Sequence, residues 1–300
     1  MSEHIVKVRK RRVPPKERIS QLVICLIVGL LAFSMVYPFY YCLVQSFNEG
    51  YDARVGGIYW FPRVFTLKNY ETVFVNPNIL RTFFVTVART LVGTVSSLLF
   101  TALFAYGLSK KIMFRKFYSI MGLITMYFSG GLIPYYFLLK DIKLLDTFWV
   151  YIIPSLLSYY NALLMMANFR AIPESLEEAA LIDGAKPFRI FVRIVLPLST
   201  PILATIALFN GVGHWNDWYT TAIFTRSESL NTLPMLLKDI INYAANQTEI
   251  EAKLLLERST VTVEATRYAT MMIAVVPITL SYPFLQRFFV KGMMVGAIKA

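Results

Sequence analysis

Cysteine, histidine and charge are all scarce in this chain. Its 300 residues hold two cysteines and two histidines, and Asp, Glu, Lys and Arg together make up only 16% of it, against about a quarter in an ordinary soluble domain. Cys25 and Cys42 fall in one apolar run. On a helix rising 1.5 Å per residue they stand about 25 Å apart, too far to bridge and without metal-ligand spacing, so neither a disulfide nor a metal is expected. No G-x-x-x-x-G-K-[ST] stretch occurs, which excludes binding of ATP by a phosphate-cradling loop of that kind. No catalytic residue is expected either. His214 and Asp217, three positions apart, are the one arrangement that reads as an acid/base pair of a membrane-embedded hydrolase or transferase, and neither a nucleophile motif nor a metal-spaced cluster accompanies them. Internal repeats and low-complexity stretches are absent as well.

What the chain has instead is apolar length: 56% of it is hydrophobic. Six windows approach the roughly 20 residues needed to cross a hydrocarbon layer about 30 Å thick: Gln21–Phe47, Phe83–Leu108, Phe117–Leu139, Phe148–Phe169, Pro201–Phe224 and Tyr268–Gln286. None alternates with period two, so the expectation is an all-α integral membrane protein with six transmembrane helices. The basic start followed by an apolar run has the outline of a secretory signal, but the uncharged run is too long for one, and it reads as an uncleaved first span. Eighteen Lys and Arg fall on the loops that share a side with the two ends, and eleven on the other side, with six and eleven acidic residues respectively. The positive-inside bias then places both termini in the cytoplasm. The net charge of +12 is thus a topology signal with anionic lipid nearby, and nucleic acid is not an expected partner. The expected plan is a basic cytoplasmic tail over 1–20, a first span over 21–47, an extracytoplasmic segment over 48–80, a core unit over 81–289 and a cytoplasmic tail over 290–300.

Breakers interrupt this plan. Gly130, Gly131 and Pro134 in the third span, Pro154 in the fourth, and Pro277 and Pro283 in the sixth should kink or open the backbone. In the outer loop "LPMLLKDIINYAANQ", Leu236, Leu237, Ile240 and Ile241 mark one face of a short amphipathic helix, read either as a cap on the membrane surface or as a docking surface. Between the fourth and fifth spans stands "EEAALIDGAKPFRIFVRIVLP", Glu177–Pro197. Acidic residues open a short helix where the dipole favours them, and Ala179 and Ala180 keep one surface thin. Gly184 is placed to end the helix in a left-handed residue. Pro187 opens a second helix, with Phe188, Phe191, Val192 and Val195 spaced for burial. The hairpin reads as a plain connector, or as a lever that offers one helix to a soluble partner and anchors the other in the bundle.

Here the sequence resembles a family. "EAALIDGAKPFRIFVRIVLP" is similar to the EAA loop of binding-protein-dependent ABC importer permeases. Glu178, Ala179, Ala180, Gly184, Ile194, Leu196 and Pro197 stand at its fixed positions. "FPRVFTLKNYETVF" is similar to a stretch of the MalG-like sugar-importer branch, and "YFSGGLIPYYFLL", "TFWVYIIP" and "RFFVKGMMVGAIKA" resemble the LplC-like subgroup associated with complex oligo- and polysaccharides. The resemblance implies a type I (MetI-like) permease fold with the EAA loop at 170–200, in a multi-pass protein of the bacterial cytoplasmic membrane. It also implies three partners: a second permease chain, a pair of ATPase subunits that hold ATP and Mg, and an extracytoplasmic solute-binding protein. Glu177 and Asp183 would share the ATPase-facing surface with the fixed positions.

Charges inside spans are costly, about 2.5–3.5 kcal/mol at a helix centre, and Arg89 and Asp217 are the clearest. They either pair, with each other or with the partner permease, and hold helices in register, or Arg89 faces the translocation path and meets an acidic sugar. Sugars are gripped by planar hydrogen-bonding groups and aromatic faces. On that ground Tyr127, Tyr135, Asn161, Asn210, His214, Trp215, Asn216 and Trp218 join Arg89 and Asp217 as candidates for a substrate path, and positions 210, 214, 217 and 218 are expected on one helical face. The competing reading of the Trp and Tyr residues is an interfacial belt.

Overall fold

A computed structural model describes residues 15–75, 77–246, 265–280 and Pro283. Among these the secondary structure is helical, apart from a single antiparallel bridge between Asn48 and Phe65. The described residues begin with α1 (Pro15–Ser46), whose apolar side chains from Ile19 to Phe39, such as Leu22 and Met35, face outward, whereas Val44 near its end is buried. An isolated apolar rod of this kind is stable only where lipid surrounds it.

The outer segment follows with α2 (Gly50–Val55) and α3 (Lys68–Val75), and its T-L-x-N-Y stretch has a structural reason. The Thr66 hydroxyl caps α3 by accepting from the Lys68 amide at 3.2 Å. Buried Asn69 donates to the carbonyls of Ser46 at 2.9 Å and Asn48 at 2.8 Å, and the Tyr70 hydroxyl meets that of Ser46 at 2.8 Å. Backbone groups at the end of α1, left bare by the helix stop, are satisfied this way.

The centre of the molecule is α4 (Pro77–Ser109). Its buried positions include Thr82, Thr86, Arg89, Gly93, Ser97, Thr101, Ala105 and Leu108, a stripe recurring every three or four residues. Small and polar residues face inward here, while Phe84, Leu91, Val95 and Leu99 face out. Lipid exerts no pressure to bury Leu, so close approach of backbones drives helix packing and selects this inverted pattern.

The expected third and fourth spans are broken. In the third, α5 (Arg115–Tyr127) and α6 (Leu132–Asp141) meet at an angle of 116° across Gly130 and Gly131, where Gly131 sits at φ +88°. The fourth begins as 3₁₀ turns at Phe148–Tyr151 and Ile153–Ser155, with Pro154 inside the second, and continues as α7 (Tyr159–Arg170) after a 47° bend. Asp146, between them, closes a latch. Its carboxylate accepts from the amides of Arg226 and Ser227, both at 2.8 Å, and from the Ser227 hydroxyl at 2.6 Å. These donors, the Ser227 hydroxyl foremost, hold its carboxyl below the usual aspartate range.

The hairpin consists of α8 (Glu174–Ile182), α9 (Pro187–Ile190), a π-helical turn at Phe191–Val195 and α10 (Leu196–Leu198). The chain then bends by 83° into α11 (Thr200–Asn216). The fifth span, expected unbroken over 201–224, stops at Asn216. Asp217 is extended at ψ 102°, and a separate α12 (Tyr219–Phe224) follows. The outer amphipathic helix is α13 (Leu233–Asn246), with Leu233 fully buried and Leu236 and Leu237 packed on this chain's own Val73, Ile79 and Ala269. The sixth span is described only as α14 (Ala265–Leu280); its end and the RFFVKGMMVGAIKA stretch lie outside the described residues. Two helices are each long and apolar enough to cross a membrane, and counting every bent pair as one crossing gives five among the described residues.

Candidate functional site

The bends in α5–α6, before α7 and after α11 surround one cavity of about 870 Å³, within the roughly 300–1,000 Å³ typical of small-molecule sites. Its charged wall is built by α4 and the α11–α12 break. Arg89, 2% exposed, donates from Nη1 to the Asp217 carbonyl at 2.8 Å and pairs through Nη2 with the Asp217 carboxylate. Its guanidinium carbon lies 4.3 Å from the centre of the Tyr151 ring, a cation–π contact. Asp217 in turn accepts from the Thr220 amide at 3.0 Å and the Thr220 hydroxyl at 2.5 Å. The two charges offset each other, so this wall is polar without carrying net charge.

A second wall is an amide relay across three helices. Asn161 on α7 donates to Asn210 on α11 at 3.0 Å, and Asn210 donates to the Ser97 hydroxyl on α4 at 3.1 Å. Beside it, His214 lies against Gly93, where an added Cβ would come within 2.4 Å of the imidazole. Only glycine allows α4 and α11 to approach so closely with a histidine between them.

The structure therefore brings six of the candidates, Arg89, Tyr135, Asn161, Asn210, His214 and Asp217, to one cavity. Four do not line it. Tyr127 is 82% exposed. Trp215 is buried on the opposite face of α11, where its indole donates to the Ala274 carbonyl at 2.9 Å. Asn216 points outward, and the Lys238 ammonium sits 3.5 Å from the centre of the Trp218 ring. The expected common face of 210, 214, 217 and 218 fails because the helix ends before Asp217. The acid/base reading of His214 with Asp217 loses its geometry for the same reason, since Asp217 is engaged by Arg89 and Thr220 instead. Tyr151, Ser129, Ser155, Ser158 and Thr220 line the cavity without having been singled out. Tyr151 lies inside the TFWVYIIP motif, but its direction follows from a 3₁₀ turn that hydropathy does not announce.

The hairpin is built as a loose arm on a fixed one. Ile190, Phe191 and Val195 of the second arm are buried in the main core, with Ile194 and Leu196 packed against it. Helix α8 buries no side chain completely. It ends in a Schellman turn: Gly184 at φ +76° donates its amide to Leu181, and Ala185 donates to Ala180 at 2.9 Å. Glu178, Ala179, Asp183, Gly184 and Pro197 are exposed, and Ile182 is 86% exposed. Glu177 differs, because it is turned inward to Lys110 and Tyr106 at the end of α4.

A helical bundle of broken spans around a polar cavity, with a Gly-terminated helix held out from it, is the architecture of a transport permease. The chain belongs to the family of binding-protein-dependent transport system inner membrane components, whose model matches residues 74–295. It is 34% identical over 275 residues to Protein LplC of Bacillus subtilis (strain 168), covering 91% of this chain and 92% of that one. To the polygalacturonan/rhamnogalacturonan transport system permease protein YtcP of the same organism it is 32% identical over 285 residues, covering 95% and 99%. Among solved structures it superposes with a TM-score of 0.86 and 29% identity on a chain of a bacterial ABC transporter involved in the import of the acidic polysaccharide alginate, covering 93% of this chain and 99% of that one.

Proposed function

We propose that this chain is a carbohydrate permease subunit of an ATP-driven ABC importer, passing oligosaccharides or polysaccharide fragments that an extracytoplasmic binding protein delivers. The observation that carries the reading is the cavity itself: bent spans of a family permease enclose amide, hydroxyl, imidazole and phenol groups, the chemistry that hydrogen-bonds and stacks on sugar rings. The names of its relatives support carbohydrate over other solutes. A second permease chain completes the passage, and a pair of ATPase subunits holding ATP and Mg drives it through the surface of Glu178, Ala179, Asp183 and Gly184. The chain crosses the bacterial cell membrane six times with both ends in the cytoplasm. Because Asp217 neutralises Arg89, this half of the passage does not itself require an acidic sugar, and choice of glycan rests with the binding protein.

Mechanically, ATP binding has to change the relative stability of inward- and outward-facing states; moving a population from 1:99 to 99:1 takes about 5.5 kcal/mol. The test is uptake by cells carrying the intact importer, offered labelled oligogalacturonate, alginate oligosaccharide and a neutral arabino-oligosaccharide in turn. Deletion of this chain should abolish uptake of at least one of them. Unchanged uptake of all three, with growth on other glycans also intact, would remove the carbohydrate reading.

A further inference from the structure

The loose arm of the hairpin is tied to the bundle at one polar point. Both carboxylate oxygens of Glu177, in the first turn of α8, lie 2.5 Å from the Lys110 ammonium. Lys110 immediately follows α4. Tyr106, one turn earlier, donates its hydroxyl to Glu177 at 3.3 Å, and the Lys110 ammonium sits 4.9 Å from the centre of the Tyr106 ring. The same ring packs on Phe191 of the fixed arm at 5.0 Å and on Phe169 at the end of α7 at 6.3 Å. Glu177 is shielded, with 14% of its side chain exposed, whereas Lys110 keeps 40%.

No other side chain of α8 makes a hydrogen bond or ion pair to the described residues, and none is fully buried. A force applied to the outer face of α8 reaches the bundle through its two covalent ends, residues 171–173 into α7 and the Gly184 turn into α9, through Ala180, which packs against the main core, and through this clamp. These routes lead to different places. The clamp leads into α4, a continuous 33-residue helix whose Arg89 lines the cavity and whose Gly93 and Ser97 touch His214 and Asn210, which line it too. Twenty-one residues of helix separate Lys110 from Arg89, about 32 Å at 1.5 Å per residue.

We infer that Lys110 and Tyr106 are positioning residues that couple α8 to α4, so that displacement of the hairpin moves the cavity wall directly. The inference rests on the importer reading above. It also divides the two adjacent glutamates: Glu178 faces outward to the partner, and Glu177 faces inward to its own chain. A partly exposed ion pair adds little to folding stability, so the clamp acts on transmission of movement and not on abundance.

The test uses the complete importer in proteoliposomes, with Cys25 and Cys42 replaced by serine and spin labels at Phe128→Cys and Tyr219→Cys, on two sides of the cavity. The change in label distance on adding ATP and vanadate is read alongside ATP hydrolysis. The parent complex shows a shift; a parent with none would sink the importer reading itself. Lys110→Ala is expected to diminish the shift while the complex still assembles and hydrolyses ATP, and Lys110→Arg to keep it. Lys110→Glu combined with Glu177→Lys should recover more of the shift than either single change. A parent-like shift in Lys110→Ala, a loss in Lys110→Arg equal to that in Lys110→Ala, or a reversed pair no better than its singles would each overturn the clamp.

Discussion

Arg89 exposes only 2% of its surface, and its charge is met by the Asp217 carboxylate and carbonyl and by the face of Tyr151. Removing one partner of a buried pair costs about 3–5 kcal/mol; with 27% of the Asp217 side chain exposed the cost here is smaller, but an unpaired carboxylate is still left inside the bundle. Arg89→Ala should therefore lower the amount of protein in the membrane, measured by quantitative blotting. The reversed pair, Arg89→Asp with Asp217→Arg, should recover part of both abundance and uptake. Abundance restored without uptake would instead put Arg89 in contact with sugar. Asp146 gives a pH-dependent case at the same scale. Its carboxyl is held below the usual aspartate range by Ser227 and Arg226, so the latch is complete above the ordinary value of about 3.9. It weakens only as pH falls through the lower folded value. Protection from hydrogen exchange across residues 225–231, measured relative to the intrinsic rate at each pH, should fall on strong acidification in the parent and be low already at neutral pH in Asp146→Ala.

Among the elements, α8 shows best what can be read from a chain before it is seen folded. Its stop at Gly184, its acidic first turn and the proline that opens α9 are local rules, each satisfied within five residues. Gly184→Val places a β-branched residue at φ +76°, a conformation that costs an L-residue about 1–2 kcal/mol. The expected outcome is a frayed α8 and reduced uptake at parental abundance, checked by transport assay with blotting. The buried stripe of α4 was less legible, since hydropathy sees the apolar outer face and passes over the threonines and alanines that do the packing. The break at Asp217 was barely legible. "HWNDWYTTAIF" is apolar and aromatic enough to read as continuous helix, and the break is held by a local cap, the Asp217 carboxylate accepting from the Thr220 amide, together with a guanidinium 128 residues away in sequence. Opposite charges in two spans announced a pair but not its backbone half, and the bond to the Asp217 carbonyl helps hold the chain extended there.

Across the whole molecule, α1 stands outside the packed bundle over most of its length, with apolar side chains exposed from Ile19 to Phe39, while α4, α7 and α11 form the interior. A nitroxide on Cys25, which is exposed, should accordingly be relaxed by oxygen dissolved in lipid and not by a water-soluble nickel chelate; relaxation by the chelate alone would place α1 in water. The fixed arm of the hairpin enters that interior through the π-helical turn at Phe191–Val195, which winds one more residue into the arm than a regular helix holds. The wider turn absorbs that residue locally, and so helps set the direction in which the fixed arm leaves the core and holds α8. Deleting the exposed Arg193 would let the turn close into regular helix, and α8 would then be held out from the bundle in another direction, with its own sequence untouched.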